Sequence, residues 1–555
     1  MPGLLSALNL ARSGMAASQK SMEVVGNNVA NVNTEGYSRQ TIQSEALPTV
    51  ESGGLSFGQG VQISGIDRAQ DSFITDRLRA AGEQLGDAEA KASPLADLER
   101  ILNIGEDSLA GKIDDFFGAW QELSLNPGGE VERGIVMRSA EVLGTQFNEV
   151  ETSLDRLRHS IDSSLSAKIG GVNAKLEQVA SLNGKIQQSL AVGKDPNTAL
   201  DQRDQLLQDL SQSIGASAVQ GEKGMVSVHL PGGLTLVQET NAYELSTGES
   251  QNGVQDYTLE MGSSTMTLQR SDLGGEFGGL VDVRDEVVTT VQEDIDSLRT
   301  HLIQTVNGQH SRGTGLDGST GQNFFKPATQ WTNDNTFAST SPSGLGGGDL
   351  TIEFEGSADQ SVSIASGATL EEVREAINTA GIGVVATIAG DENGDYALQL
   401  ASTDSSASIT SISGDSLGFG GFTEHVGAGD SGLQLAIDDI DAVAAGTTDA
   451  PGDNANAKAI ASLVDDTTVD GTYAFGDFYG KIAAEVGIEV QQNDFQRTSF
   501  QDTLDQLKNR RDEIAGVSID ESMIDLQRYQ KSFQASAKYM TTVDQMMQTL
   551  LNIKR

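Results

Sequence analysis

Apolar side chains recur every seven residues at both ends of the chain. Near the start, Leu8, Met15, Met22 and Val29 form one row. Leu4, Ala11, Val25 and Val32 form a second, three positions on in the repeat, which Ser18 interrupts. Near the end, Ile519, Leu526, Phe533, Met540 and Met547 keep the same interval, with Tyr529, Val543 and Leu550 beside them. A seven-residue apolar period marks helices that pack along other helices. It predicts a first helix from about residue 4 to about 30, where Asn27, Asn28, Asn31 and Asn33 accumulate. Ser518 and Glu521 are spaced as a capping box that opens a terminal helix of about 33 residues. No proline interrupts residues 3 to 47 or 452 to 555.

The interior alternates between periods. Apolar residues step by threes and fours from Phe147 through Leu154, Ile161, Leu176 and Ile186 to Leu190. They predict a helix of about 44 residues, roughly 65 Å long. Shorter helices are expected from Ser93-Pro94, read as N-cap and first-turn proline, and from Asp195-Pro196. Between 215 and 270 the period falls to two, with Val226, Val228 and Leu230 ahead of Pro231-Gly232-Gly233, as in a β-hairpin. Helical spacing returns at 280 to 306. Leu350, Ile352 and Phe354 then alternate as a strand, and Thr369 and Glu372 cap a short helix. Val384, Ala386 and Ile388 form another strand before the Asn393-Gly394 turn signal. After Gly452, Val486, Val490, Phe500, Leu504, Leu507 and Ile514 describe one more long helix, pausing near Gly516.

The expectation is a multi-domain α+β fold with paired N- and C-terminal coiled-coil-like helices, in three parts. Residues 1–66 with 514–555 form a terminal helical core. Residues 67–325 with 452–513 form a long-helix rod bearing a small β element near 215–270. Residues 326–451 form an inserted, β-rich outer domain. Length supports the division, since 555 residues exceed what one core serves. Charge supports it too. The net charge is −43, yet residues 1–80 carry six basic and seven acidic side chains, and residues 500–555 carry eight of each. Residues 331–480 carry only Arg374 and Lys458 against 24 Asp and Glu. Neutral ends can crowd against copies of themselves, whereas an acidic middle repels its copies and faces solvent.

Nucleic acid is a poor partner for such a surface. The chain has no cysteine, which excludes disulfides and thiolate metal sites and suits threading through a channel in unfolded form. Met1-Pro2-Gly3-Leu4 lacks a basic leader region and no apolar run reaches membrane-spanning length. The reading therefore has no membrane partner, and either a cytoplasmic location or export without a cleaved signal. Five histidines at 159, 229, 301, 310 and 425 show no metal-ligand spacing, and each is expected in a solvated role. Asp391-Glu392-Asn393-Gly394-Asp395 reads as a turn rather than a calcium loop. Gly344 to Gly348 lacks the Lys-Ser or Lys-Thr of a phosphate cradle. No catalytic residue, cofactor site or metal site is expected.

The segment from Asn27 through Asn31, Asn33, Thr34, Gly36 and Tyr37 to Gln40 resembles the N-terminal signature of bacterial flagellar rod, hook and hook-associated proteins. It departs at Glu35, where proline is common. Gly516 to Glu521, Leu526, Tyr529-Gln530 and Thr542 to Leu551 resemble the C-terminus of the hook-associated members. So do Leu200-Asp201-Gln202-Arg203-Asp204, Gly278-Gly279-Leu280, the stretch from Asn307 to Phe324-Phe325, and Gly452 to Ala457. The resemblance implies a structural subunit at the hook–filament junction, with a ring-like assembly of copies in which Leu4, Leu8, Met15, Met22, Val25, Val29, Leu526, Tyr529, Phe533, Met540, Val543, Met547 and Leu550 form the self-assembly interface. It implies hook protein and hook-associated protein 3 as neighbours. It also implies export by the flagellar type III apparatus, with a cytoplasmic chaperone on the C-terminal helix and a final extracellular place in the flagellum. A lone terminal helix is marginal in water, so the ends are expected to order as copies assemble. Two other readings stay open: hook-associated protein 3 or a flagellin-like filament subunit, and a secreted adhesin displaying residues 326–451.

Overall fold

The computed structural model describes residues 2–553 except 53–54, 104, 106, 252–253, 327–328, 334, 338–344, 355–357, 391–395, 403–408, 415–416, 427–431, 449, 451, 468 and 470–471. The chain divides into two compact units. Residues 1–94, 160–283 and 492–555 form the first, and residues 95–159 and 284–491 the second. Helices α1 (Pro2–Ala30), α2 (Ser72–Ile101), α3 (Leu109–Leu125), α4 (Glu130–Ala191), α5 (Asn197–Ile214), α6 (Gly275–Asp282) and α7 (Val288–His310) occupy the first part of the chain. Then come α8 (Leu370–Ala380), α9 (Ala455–Ser462), α10 (Phe475–Ala515) and α11 (Ile519–Ile553).

α4 is 62 residues long, well beyond the expected stretch. Its buried stripe starts upstream, at Val136, Ala140 and Leu143, and keeps the same three-and-four spacing. Glu130 and Glu132 in its first turn favour the positive end of the helix dipole. The break expected at Ser93-Pro94 does not occur, because Pro94 lies inside α2. Leu85 and Ala88 before it and Leu95 and Leu98 after it are all buried, and this packing outweighs the ~3 kcal/mol that an internal proline costs.

In the first unit, the terminal part is not purely helical. Strands 40–46 and 61–68 pair antiparallel with Ile42 opposite Ile66, and strands 50–52 and 55–57 form a second pair. Apart from Ile42, strand 40–46 holds no large apolar side chain and most of it is exposed, so its period of two is faint. The single hairpin expected near 215–270 is two sheets. One runs 217–220, 226–229, 235–238, 241–242 in order, and the other is a meander of 244–251, 254–261 and 264–267. Val226 and Val228 face the core, and Gly233 takes a positive φ of 85° in the turn after Pro231.

In the second unit, the acidic insert folds around Leu350, Ile352, Leu370, Ile377, Leu398 and Leu400, all almost fully buried. Strand 348–354 sits between 360–364 and 409–413, while 384–390, 396–402, 329–333 and 422–426 form the other sheet. α8 begins with the expected reciprocal Thr369–Glu372 capping box and ends at Gly381, whose φ is 62°. Asn393-Gly394 and the acidic run around it lie outside the described residues.

Candidate self-assembly interface

α1 and α11 pack side by side in opposite directions, since Ser18 Oγ meets Ser532 Oγ at 3.2 Å and Gly14 lies against Ser536. Ser18 does not interrupt the seam as the apolar pattern implied. It is buried and also donates to the Gly14 carbonyl at 2.9 Å. The buried and half-buried α1 positions Ala11, Gly14, Ser18 and Ser21 are small, and Gly14 and Ser18 lie directly against α11. A Cβ on Gly14 would stand 3.0 Å from Ser536 Oγ, so the small residues set the distance between the helices.

The large apolar side chains are arranged differently. Leu4, Leu8, Met15, Met22 and Val29 are half-buried, as are Leu526, Tyr529, Phe533, Met540 and Met547 on α11. Of the predicted interface residues, Val25 and Val543 are buried and Leu550 is exposed. Ile519, Met523, Ile524, Met546 and Leu551 are exposed as well.

The signature loop that follows α1 is organised by Asn28. Its Oδ1 accepts from Tyr37 OH at 2.7 Å and from Gln40 N–H at 2.9 Å, and its Nδ2 donates to the Gln40 carbonyl at 2.8 Å. Asn28 is buried, so one side chain satisfies both backbone groups of the residue that starts strand 40–46. Asn31 Nδ2 donates to the Asn27 carbonyl at 2.9 Å and Asn31 Oδ1 accepts from Thr34 at 3.3 Å. Asn33 is exposed. Gly36 has φ +76°, and a Cβ there would meet Gln205 Oε1 at 2.7 Å. Glu35, where the resemblance expects proline, is exposed, so the turn rests on the glycine. Burial, helped by the Asp201 carboxylate, pushes Tyr37 up to about 12.

Arg39 ties this loop to the turn between α10 and α11. Its N–H donates to the Ala515 carbonyl at 2.8 Å, and its guanidinium reaches Glu521 at 3.4 Å. The expected Ser518–Glu521 capping box is therefore formed on one side only. Ser518 Oγ accepts from Glu521 N–H at 3.4 Å, while the Glu521 carboxylate turns to Arg39. Between loop and turn opens a cleft of about 570 Å³ lined by Asn31, Thr34, Arg39, Asp512, Ser518 and Glu521 among others.

The Leu200 to Asp204 motif on α5 anchors the loop from the other side. Asp201 accepts from Ser38 N–H at 3.2 Å and pairs with Arg68 at 3.0 Å. Asp204 pairs with Arg68 at 2.7 Å and Arg79 at 3.3 Å. Arg203 is buried and donates to Asn183 Oδ1 at 3.1 Å and the Gly224 carbonyl at 2.7 Å. Desolvation lowers Arg203 to about 10, and it keeps its charge at neutral pH. At Gly279 a Cβ would stand 2.5 Å from the Asp87 carbonyl oxygen, which explains the glycine of the Gly278-Gly279-Leu280 motif on α6.

In the second unit, the Asn307–Phe325 and Gly452–Ala457 motifs meet. Asn307 Oδ1 accepts from Phe324 and Phe325 N–H at 2.9 and 2.8 Å, and its Nδ2 donates to the Phe325 carbonyl at 2.8 Å. His310 corrects the expectation of solvated histidines, being 1% exposed. Its Nδ1 lies 2.9 Å from the Gln322 carbonyl, which only a protonated nitrogen can satisfy, and its Nε2 accepts from Ala444 N–H at 3.0 Å. Both ring nitrogens are thereby committed in the neutral form. Burial lowers His310 to about 4, reinforced by nearby Arg133 and opposed by the Gln322 bond. Asn456 closes the knot, donating to the Ala444 carbonyl and accepting from Gln309, both at 2.7 Å. His159 is exposed, His229 and His301 are half-buried, and the side chain of His425 lies outside the described residues.

Among the described residues, no group of three or more His, Asp or Glu is placed to hold a metal ion, and no helix is long and apolar enough to cross a membrane.

Comparison with known proteins places this arrangement. Residues 95–325 match the family "Flagellar hook-associated protein FlgK helical domain". Residues 8–37, spanning most of α1 and the signature loop, match "Flagella basal body rod protein". Residues 509–553 match "Flagellar basal body rod FlgEFG protein C-terminal", and residues 349–404 match "Flagellin hook IN motif". Rod-type ends around a hook-associated helical core define the class: a structural protein of the bacterial flagellum. Flagellar hook-associated protein 1 of Salmonella typhimurium is 27% identical over 572 positions, covering 99% of this chain and 100% of that one. That of Bacillus subtilis is 24% identical over 588 positions, covering 100% and 99%. The structure of the flagellar hook junction protein FlgK from Burkholderia pseudomallei shares the fold, with a TM-score of 0.57 at 19% identity, over 79% of this chain and 100% of that one. Within its class, the chain is a homologue of flagellar hook-associated protein 1 along its whole length.

Proposed function

We propose that this protein is a non-enzymatic structural subunit that assembles at the hook–filament junction and connects the hook to the filament side. One observation carries the mechanism. The α1–α11 pair closes on small residues and leaves Leu8, Met15, Met22, Phe533 and Met540 half-buried and Leu550 exposed. A single chain thus retains apolar area for neighbours to cover, at about 25 cal/mol per Å². Assembly of copies around a shared axis would bury it and would complete the ordering of the two terminal helices.

In this reading residues 1–66 and 514–555 are the axial core, residues 67–325 and 452–513 the rod, and residues 326–451 the outward domain. Neighbours along the axis are hook protein and hook-associated protein 3. Before export by the type III apparatus, a cytoplasmic chaperone covers the apolar side of α11; the working location is extracellular. The full-length match to hook-associated protein 1 favours this role over a protein 3-like or flagellin-like subunit. Cells lacking the protein should build hooks and shed flagellin into the medium; attached filaments of normal length would overturn the reading. Phe533→Asp or Met540→Asp should give a chain that is made but not incorporated.

A further inference from the structure

α10 ends at Ala515 and α11 starts at Ile519, yet no proline stands between 452 and 555 to force the interruption. The last helical bond of α10 runs from Gly516 N–H to the Asp512 carbonyl at 2.9 Å, and the first of α11 from Ser522 N–H to the Ser518 carbonyl at 3.0 Å. An unbroken α-helix would bond Ser518 N–H to the Ile514 carbonyl and Ile519 N–H to the Ala515 carbonyl. Both of those carbonyls are taken by one residue of the signature loop. Arg39 N–H donates to Ala515 at 2.8 Å, and the Arg39 guanidinium donates to Ile514 at 3.4 Å. The same guanidinium reaches Glu521 in the first turn of α11. Gly516 supports the break independently. A Cβ there would stand 2.3 Å from the Asp512 carbonyl oxygen, so the interrupted backbone requires glycine, whereas a helix interior favours alanine.

We propose that Arg39 is a wedge: seated, it keeps α10 and α11 apart as two helices, and withdrawn, it lets them join into one helix from 475 to 553. The wedge is held from behind. The Arg39 carbonyl accepts from Ala69 N–H at 2.8 Å, Asp201 holds Ser38 N–H, and Asn28 holds Gln40. Its grip in front is light, since both guanidinium contacts are 3.4 Å long and the buried Nε–H has no partner among the described residues. A light grip, set against the helical bonds that residues 517–521 forgo, makes a two-state element. A neighbour that draws the signature loop off the turn shifts the balance by the difference in its affinity for the two states. The N-terminal loop thereby sets the course of the C-terminal helix. This is a property of the single chain and does not depend on the junction role.

Hydrogen exchange of the full-length chain tests this at the amides of residues 517–520. Amides in the first turn of a helix have no intrahelical acceptor, so in the parent they exchange freely. In Arg39→Ala with Gly516→Ala they should slow by at least about tenfold, as members of a joined helix. A brace that merely stabilised the turn would give the opposite sign, faster exchange on its removal. Adding Ile519→Pro should return the remaining amides to the parent rate, because proline is accepted at the first position of α11 and excluded from the interior of a joined helix. Gly516→Ala alone should slow exchange in the same direction with Arg39 in place, and it carries the test if the double variant loses protection along residues 504–512 of α10. Unchanged or faster exchange in both variants, or slowing that persists with Ile519→Pro, would overturn the proposal.

Discussion

Asn307→Ala removes the side chain that holds the Phe324–Phe325 turn in the second unit. Phe324 and Phe325 are fully buried, and Asn307 supplies partners for two of their N–H groups and one carbonyl. Water cannot replace those partners without opening the cluster that Phe116, Trp120 and His310 build around the two rings. Leaving a buried polar group unmade costs ~1–3 kcal/mol, and relaxation will recover part of the loss from three such groups. A net loss of about 4 kcal/mol corresponds to roughly a thousandfold. Hydrogen exchange of the peptide spanning residues 320–326 should accelerate by that factor at neutral pH. Asn307→Asp keeps both acceptor bonds, loses the donor to Phe325 and should fall between the two. A local assay suits a chain of several cores, where one unfolding midpoint is not defined. Exchange of that peptide within threefold of the parent in Asn307→Ala would refute the argument.

His310 predicts a pH dependence of definite sign. Its folded value near 4 lies below the ordinary ~6.5 of an unfolded chain, so the unfolded state binds the extra proton first. Stability contributed by the neutral ring is complete above pH 6.5 and declines as pH falls toward 4, by about 3 kcal/mol in all. His310→Phe should be less stable at pH 7 and lack this decrement when protection of the peptide spanning residues 320–326 against hydrogen exchange, corrected for the intrinsic rate, is compared at pH 7 and 4.5. Gly14→Leu should wedge α1 from α11 at a cost of ~1–3 kcal/mol. The yield of an engineered Ser18→Cys to Ser532→Cys disulfide, across a present contact of 3.2 Å, should drop severalfold with it. Asp201→Asn breaks one arm of a largely buried ion pair while Arg68 keeps Asp204, so about 2–3 kcal/mol is expected, short of the ~3–5 for a fully orphaned charge. Tyr37 should then titrate below its present value of about 12 yet above an ordinary tyrosine, because burial is the larger cause of its shift; spectrophotometric titration against a Tyr37→Phe control reads it.

The sequence by itself determined the long amphipathic elements and their order. A three-and-four apolar step survives any context, so α1, the core of α4, α10 and α11 were legible, as were the capped α8 and the alternating strands 348–354 and 384–390. The acidic middle and neutral ends were equally plain from charge, and the terminal signatures pointed to a flagellar class. Tertiary structure decided what lies opposite what. Ser18 looked like a gap in a heptad because a small side chain has meaning only when another helix approaches it, as α11 does at Ser532. Asn28, Asp201, Asn307 and His310 were invisible as structural centres for the same reason. Their roles depend on backbone groups brought near by folding, in the case of Asp201 on Ser38, more than 160 residues away. Pro94 read as a helix start because local propensity favours it there, and packing on both flanks overruled the preference. Periodicity is local and survives in one dimension, whereas the satisfaction of buried polar groups and the spacing of helices are properties of the folded chain alone.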